Sequence, residues 1–156
     1  MKIKQPNSRH CFACGLENPI GLKLKFYQTA DDEVTAEFIA PEEYQGYPGI
    51  LHGGVTATIL DEAVGRAFMG TDPGNSNMMY TAELTVKYKQ KVPIGKPLKI
   101  VGKQLRRMRW TGESKAYMYD QDGTLLVEAS AILVDLPEKM NAQAAEELGW
   151  KIYPDE

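Results

Sequence analysis

A histidine, two glycines and an acidic residue form the part of the sequence best suited to chemistry. His52, Gly53 and Gly54 open the one long helical pattern in the middle of the chain, and Asp61 lies within that pattern. Glycines at a helix start let a ligand approach the backbone, and the first-turn N–H groups carry the positive end of the helix dipole. Such a site is suited to stabilising an oxyanion. An isolated His-Gly-Gly can also be a tight turn in which the histidine only caps the helix.

Asp61 lies on a helical face that offers no opposite charge. With about 100° per residue, this face also holds small or apolar residues: Gly54, Ala57, Thr58, Val64, Gly65 and Phe68. Burial without a partner disfavours a charged carboxylate, so we expect a raised pKa for Asp61, as suits a general base near neutral pH. Glu62 points about 100° away toward Arg66, and we predict a surface salt bridge between these two.

The separation of Gly54 and Asp61 predicts how such a site is assembled. Seven residues of helix span about 10 Å. An oxyanion donor and a base that act on one carbonyl must both lie within about 3–4 Å of the reacting atoms. One helix therefore cannot supply both groups. Two antiparallel copies would place the helix start of one beside Asp61 of the other, so we expect a dimer with two composite sites.

The elements around this helix are predicted from hydrophobic periodicity. The helix runs from about residue 54 to 69 and is apolar around most of its circumference, which indicates burial. A strand hairpin precedes it, with Leu22, Leu24 and Phe26 alternating and a second strand over residues 34–39. Four strands follow, over residues 78–91, 98–109, 113–119 and 124–135, with turns at 93–95, 111–112 and 121–123 and a short helix or tail at 138–148. Strict alternation in the first of these four places Thr81 on the face opposite Leu84 and Val86.

A helix that is apolar on nearly all sides must be wrapped by a curved sheet, because a flat sheet covers one side only. The predicted fold class is therefore α+β, with a curved antiparallel sheet around a central helix. We divide the chain into a leader at residues 1–20, this core at 21–136 and a C-terminal helix or tail at 137–156.

Composition limits the classes of partner. With 156 residues the chain is predicted to form one domain, and 18 Lys and Arg against 21 Asp and Glu leave a net charge of −3, which argues against nucleic-acid binding. Two cysteines cannot build the disulfide framework of a small secreted domain, so we expect a reducing, cytoplasmic location. No run approaches the ~20 apolar residues of a membrane span, and we expect a soluble protein.

The sheet-wrapped helix, the His-Gly-Gly at its start and the acidic residue nine positions after the histidine resemble the hot-dog fold thioesterases. The likeness is to their phenylacetate-type and mammalian acyl-CoA branch, within the 4-hydroxybenzoyl-CoA thioesterase superfamily, and covers about residues 21–135. It implies hydrolysis of an acyl-CoA. In that family the N–H at the position of Gly53 polarises the thioester carbonyl, and the acid at the position of Asp61, from the other subunit, is base or nucleophile. The resemblance also implies that Thr81 orients the water and that the Gln45 amide lies near the carbonyl.

The resemblance further implies how coenzyme A is bound. It is part of the substrate, so no separate cofactor and no metal are expected, and in the family lysines and arginines hold its phosphates at the outer edge of the dimer. The candidates are Arg106, Arg107 and Arg109, together with Gly54 at the helix start. Lys87, Lys89 and Lys91 are more typical of a solvated strand face. We expect a homodimer, or a dimer of two such dimers.

Two other functions remain open. Hot-dog proteins include enoyl-CoA hydratases and dehydratases, which pair the acid with a histidine, and a protein with this pocket could bind acyl-CoA without catalysis. The acyl group is also open. Phe68, Met69, Met78 and Met79 suggest an adaptable apolar pocket for medium, long or aryl acyl groups, and they are equally compatible with a core role.

Cys11 and Cys14 form a Cys-x-x-Cys pair in the leader. With His10 they supply three soft ligands, whereas a closed zinc site needs four. Similar leaders precede the hot-dog core in bacterial relatives, which favours a structural segment packed on the first strand. A metal site shared with another ligand and a redox role are the alternatives, the latter without a thioredoxin-like βαβ unit after it.

Overall fold

A seven-stranded antiparallel sheet wraps around one long helix in the computed structural model, which describes residues 1–155. The helices and strands in chain order are β1 (Ile3–Lys4), β2 (Phe26–Ala30), β3 (Glu33–Ile39), α1 (Gly53–Arg66), β4 (Met79–Tyr88), β5 (Pro97–Arg107), β6 (Thr111–Tyr119), β7 (Leu125–Asp135) and α2 (Glu138–Glu147). The strand order in the sheet is β1-β2-β3-β5-β6-β7-β4, so β1 and β4 form its two edges. The predicted α+β architecture is confirmed.

Helix α1 is the centre of the core. Ile59, Leu60, Ala63 and Val64 are completely buried against the sheet. Gly102 of β5 lies so close to the helix that an added Cβ would collide with the Ala63 carbonyl oxygen, so a glycine is required there. The regular helix ends at residue 66, three residues before the predicted end, and a turn continues to residue 69.

Two local predictions in the sheet were wrong. The chain turns at residues 108–110, where the Met108 N–H donates to the Thr111 carbonyl, and not at 111–112. Gly112 lies inside β6 and makes room for the Phe68 ring, which would meet a Cβ at 2.6 Å, so this glycine serves packing. The second wrong prediction is the start of the first hairpin strand, which begins at Phe26 and not near residue 22. Leu22 and Leu24 are buried, but they precede β2, and Lys23 between them has a φ of 54°.

A β-bulge in β4 corrects the predicted faces of that strand. Its pairing with β7 shifts register between Thr81 and Glu83, which leaves Ala82 as the extra residue. The alternation is therefore reset, and Thr81 lies on the α1 side together with Leu84 and Val86. A strict alternation of inward and outward residues along the strand cannot predict this bulge.

The leader and the C-terminal segment are joined to the core and to each other. Strand β1 pairs with β2, and the Ala13 carbonyl accepts a hydrogen bond from Leu24 N–H. Asn7 forms a bridge with Lys151. The predicted C-terminal helix is present as α2, while the division at residues 20 and 136 stays a prediction. No helix in the described part of the chain has the length and apolar character needed to cross a membrane.

Candidate active site

The start of helix α1 is held from two sides. The Nδ1 atom of His52 accepts a hydrogen bond from Gly54 N–H at 2.9 Å, so the histidine is the N-cap. The Tyr88 hydroxyl at the end of β4 donates to the Gly53 carbonyl oxygen at 2.6 Å. Within residues 1–155 the Gly53 N–H has no hydrogen-bond partner. Gly53 therefore presents an exposed donor, whereas the Gly54 N–H is occupied by His52.

Tyr88 is a site residue that the sequence analysis missed. A tyrosine near the end of a strand pattern indicates no such role by itself, because only the fold brings the end of β4 to the start of α1. The Tyr88 hydrogen bond fixes the first residue of α1 against the edge strand.

Asp61 lies beside the edge strand at the middle of the helix. Its Oδ1 atom accepts a hydrogen bond from the Thr81 hydroxyl at 2.6 Å. The bulge at Ala82 makes this contact possible, because without it the Thr81 side chain would point away from α1. Burial was predicted for Asp61, but in the single chain this residue is only half-buried, because this face of α1 is left open beside β4.

Gln45 belongs to the loop that leads into the helix. Its Oε1 atom accepts a hydrogen bond from Gly49 N–H at 3.2 Å, which closes the loop on itself. The next residue, Gly46, lies against His52, whose Cα would be 3.3 Å from an added Cβ. Gln45 therefore belongs to a loop that packs on His52 through Gly46, and the location of its amide near a substrate carbonyl stays a prediction.

A groove of about 540 Å³ opens beside this helix start. Its lining surface is mostly apolar, and the lining residues include Tyr47, His52, Gly53, Tyr88, Lys89 and Lys91. The two lysines and the positive end of the helix dipole give this groove a chemistry suited to an anionic ligand.

The predicted arginine cluster lies at the other end of α1. Arg107 makes a bidentate ion pair with Asp135, at 2.9 and 2.7 Å, and stands over the Phe68 ring. Arg109 stands over the Trp110 ring and Arg106 is exposed. A role of Arg106, Arg107 and Arg109 in binding coenzyme A stays a prediction.

The predicted ion pair of Glu62 and Arg66 is present, with 2.8 Å between Oε1 and Nε, but its predicted surface location was wrong. Arg66 is completely buried and donates to the Pro6 carbonyl oxygen at 2.5 Å. It stands over the ring of Trp150. Burial raises the pKa of Glu62 to about 7, and Arg66 opposes that rise. The helical spacing predicts the pair, but not that the leader and C-terminal segment cover it.

Two of the four residues predicted to line an apolar pocket are buried in the protein, and the other two are partly exposed. Phe68 and Met78 are buried, and Phe68 belongs to the main core cluster. Met69 and Met79 are half-buried near the start of β4. These two are the members of the set that a ligand could contact.

Comparison with known proteins assigns the family. Residues 48–127, just over half of the chain, match the model of the thioesterase superfamily. Acyl-coenzyme A thioesterase THEM4 from Rattus norvegicus is 28% identical over 142 residues, which cover 88% of this chain and 59% of the relative. The Bos taurus THEM4 is 30% identical over 132 residues, which cover 82% and 52%. The chain thus spans between half and three fifths of the length of these relatives.

Solved structures share the fold. A crystallised thioesterase superfamily protein is 28% identical, with a TM-score of 0.72 and coverage of 81% of this chain and 63% of that one. The E. coli PaaI protein, from the phenylacetic acid degradation operon, is 11% identical, with a TM-score of 0.66 and coverage of 74% and 81%. A Streptococcus mutans protein solved with acetyl-CoA bound is 18% identical, with a TM-score of 0.65 and coverage of 72% and 88%.

These structural matches confirm the hot-dog arrangement of a curved sheet around a central helix. The family match covers the loop before α1, the helix itself, the edge strand β4 and the strands that follow, up to the beginning of β7. It therefore includes both Gly53 and Asp61. The chain belongs to the thioesterase superfamily.

Proposed function

We propose that the protein hydrolyses acyl-CoA thioesters as a homodimer, in which Gly53 of one copy and Asp61 of the other form each active site. The observation that carries this proposal is the 2.6 Å hydrogen bond from Thr81 to Asp61, on a face of α1 left open at the sheet edge. The names of the THEM4 relatives and the acetyl-CoA bound by a structural neighbour support the choice of substrate.

The edge strand β4 is the expected contact between the two copies. It is ten residues long, and its outer backbone groups are unpaired within the described sheet. Tyr80 on this strand is half-exposed. A second copy paired along β4 would cover the strand, close the open face of α1 and bring the two antiparallel helices together.

The reaction follows from the groups assembled in this way. Asp61 removes a proton from water as the water oxygen attacks the thioester carbonyl carbon. The negative charge that develops on the carbonyl oxygen is stabilised by the Gly53 N–H of the other copy and by the helix dipole. The tetrahedral intermediate then breaks its C–S bond, the sulfur takes up the proton, and the products are a carboxylic acid and coenzyme A.

Thr81 has a defined part in this scheme. Its hydroxyl hydrogen is used in the bond to Asp61, which holds the carboxylate in place, and its oxygen lone pairs remain to accept a hydrogen bond from the attacking water. Direct attack by Asp61 through an anhydride is the second route. A single turnover in H₂¹⁸O with enzyme in excess distinguishes the routes: base catalysis labels only the released acid, whereas an anhydride opened at the Asp61 carbonyl labels the Asp61 side chain.

The binding site for coenzyme A is proposed at the groove beside the helix start. Lys89 and Lys91 line the same groove as Gly53. The Lys89 ammonium lies 3.7 Å from a Glu128 carboxylate oxygen and would leave this exposed pair to hold a phosphate. The arginine set is the other candidate, and in a dimer it would have to act on substrate from the far end of α1.

The direct test is Asp61→Asn, assayed by release of free thiol from a panel of acyl-CoA substrates. We expect the turnover number to fall by about 10²–10⁴-fold, the usual contribution of a general base. Asp122→Asn, in an exposed turn, is the matched control and should keep wild-type activity. Near-normal turnover of the Asp61 variant, with an unchanged circular dichroism spectrum, would overturn the proposal.

Two Thr81 variants sharpen this experiment. Thr81→Val removes the hydroxyl and keeps the branched shape, and we expect turnover to fall about 10–100-fold, since a hydrogen bond to a charged group contributes about 1.5–3 kcal/mol. Thr81→Ser keeps the hydroxyl and should retain turnover within a few-fold. If both variants are equally impaired, shape and not the hydrogen bond is what matters at this position.

A further inference from the structure

Two thiols in the leader have no part in the proposed hydrolysis. Cys11 is half-buried, Cys14 is buried, and both are free thiols. They are the two cysteines of the chain. They lie three residues apart in a single turn, which the hydrogen bond from Gly15 N–H to the Cys11 carbonyl closes at 2.8 Å.

This turn is held firmly in place. Ser8 Oγ accepts a hydrogen bond from Cys11 N–H at 3.2 Å and lies 3.5 Å from the Cys14 sulfur. The Asn7 amide donates to the Cys14 carbonyl oxygen at 2.8 Å. Gly15 is required, because a Cβ there would lie 2.5 Å from the Cys11 backbone. The turn therefore fixes the backbones of Cys11 and Cys14 relative to each other, and the two side chains are close enough for each to shift the pKa of the other.

The two thiols are not equivalent. A hydrogen bond from the Cys14 side chain lowers the pKa of Cys11 to about 6, although burial and the nearby Glu62 oppose this. The same bond and burial raise the pKa of Cys14 to about 12. The charged and titratable groups that face the pair are Glu62 and Arg66 of α1 and Tyr153 of the C-terminal segment. The more accessible sulfur is thus the better nucleophile, and the buried one keeps its proton.

Glu62 is a candidate acceptor for the proton of the buried Cys14 thiol. Burial brings the pKa of Glu62 to about 7, and the nearby Cys14 side chain adds to this rise. A carboxylate with that pKa can take a proton near neutral pH. The hydrogen bond with Cys11 is the largest cause of the raised pKa of Cys14. It is lost once the Cys11 sulfur is in a mixed disulfide, and Cys14 can then give its proton to Glu62.

We propose that Cys11 and Cys14 form a reversible intrachain disulfide by exchange with a low-molecular-weight disulfide, with Cys11 as the attacking thiol and Cys14 as the resolving thiol. The Cys11 thiolate attacks one sulfur of glutathione disulfide, its S–S bond breaks, and one glutathione leaves as a thiolate that takes a proton from water. Cys14 gives its proton to Glu62 and attacks Cys11, which releases the second glutathione. The chain is oxidised by two electrons and one glutathione disulfide is reduced to two glutathiones.

The test is titration of the full chain in glutathione redox buffers, quenched with acid and read by intact mass. The wild type should lose two hydrogen atoms per chain, without linking two chains, and regain them with dithiothreitol. Cys14→Ser should accumulate one glutathione on Cys11, and Cys11→Ser should stay unmodified because Cys14 is buried. At pH 7, iodoacetamide should alkylate Cys11 about two- to threefold faster than an unperturbed thiol, because its larger thiolate fraction is partly offset by the lower nucleophilicity of a low-pKa thiolate.

Two results would overturn the proposed disulfide, and a third would overturn the role of Glu62 in its formation. The first is a wild type that keeps both thiols in excess glutathione disulfide, a result that does not depend on any variant folding. The second is equal modification of Cys11→Ser and Cys14→Ser. The third concerns the proton acceptor: Glu62→Gln should accumulate the mixed disulfide at least several-fold more than wild type, and a variant that resolves it at the wild-type rate would remove Glu62 from the scheme.

Discussion

The residues of the proposed active site fall into two groups separated by about 10 Å of helix. At the helix start, Gly53 presents a backbone donor that Tyr88 and His52 hold in place without occupying it. At the middle of the helix, Asp61 is held by Thr81. Hydrogen bonds within one chain hold each group in place. The two groups of one chain are too far apart to act on the same carbonyl, so the proposed reaction needs a second chain.

The proposed binding of the coenzyme A phosphates by Lys89 and Lys91 can be tested by charge reversal. We expect Lys89→Glu/Lys91→Glu to raise KM for acyl-CoA about 10–100-fold, the value of one lost charge-assisted hydrogen bond. KM for an N-acetylcysteamine thioester, which lacks the nucleotide, should not change. Arg106→Glu/Arg109→Glu is the matched control, since these two side chains are exposed and lie away from the groove. A larger effect in the arginine variant would assign the phosphates to the arginine cluster.

At this scale the sequence predicts residue types better than contacts. Gly53, Asp61 and Thr81 could be selected from spacing and resemblance, and the capping role of His52 was an open alternative that the structure confirms. The contact between Thr81 and Asp61 depends on a one-residue bulge that no periodicity contains. The helix anchor Tyr88 was missed because it acts through a long-range contact.

Among the elements, helix α1 is tied to both ends of the chain through Arg66. This residue links Glu62 of the same helix, Pro6 of the leader and the Trp150 ring of the C-terminal segment. Gln5 donates to its carbonyl oxygen at 3.1 Å. The leader and C-terminal segment therefore cover a buried charge on the face of α1 next to Asp61, and do not simply flank the core.

Removal of this buried guanidinium should cost much of the protein's stability. We expect Arg66→Met to lower the free energy of unfolding by about 3–5 kcal/mol, because it leaves Glu62 buried without its partner. Glu62→Met/Arg66→Met should recover part of that loss. Lys89→Met, which breaks an exposed pair with Glu128, is the control and should cost less than about 1 kcal/mol. Urea unfolding measures all three, and equal losses for Arg66→Met and Lys89→Met would contradict the described burial.

The order and type of the elements could be predicted from sequence because each long run has a clear period. The central helix, the four later strands and the closing helix were found within a few residues of their ends. Predictions failed where a residue serves tertiary packing. Gly112 makes room for Phe68 and not for a turn, and the ion pair of Glu62 and Arg66 is buried by segments whose own pattern is weak.

Under the proposed function, the whole molecule is half of a working unit. One chain completes a core and a sheet whose edge strand β4 is open, and about 10 Å of helix separates Gly53 from Asp61, so the proposed site needs a second copy. The central claim is that each active site combines the Gly53 N–H of one chain with Asp61 of the other. Neither half should hydrolyse a thioester efficiently without the other.

Complementation between two inactive variants tests this claim most directly. Asp61→Asn lacks the base. Gly53→Pro lacks the donor, yet fits the helix, because proline is favoured at the first helical position and His52 has the extended backbone that precedes proline. In a co-refolded equal mixture, half of the dimers are mixed and each has one complete site.

Thiol release from acyl-CoA by this mixture is the measurement. A composite site predicts about one quarter of wild-type activity, from half of the dimers with one of two sites each. A mixture of Asp61→Asn with the double variant Gly53→Pro/Asp61→Asn contains no complete site and should stay inactive. Activity of the first mixture no higher than the mean of its two inactive parents would contradict a site shared between chains.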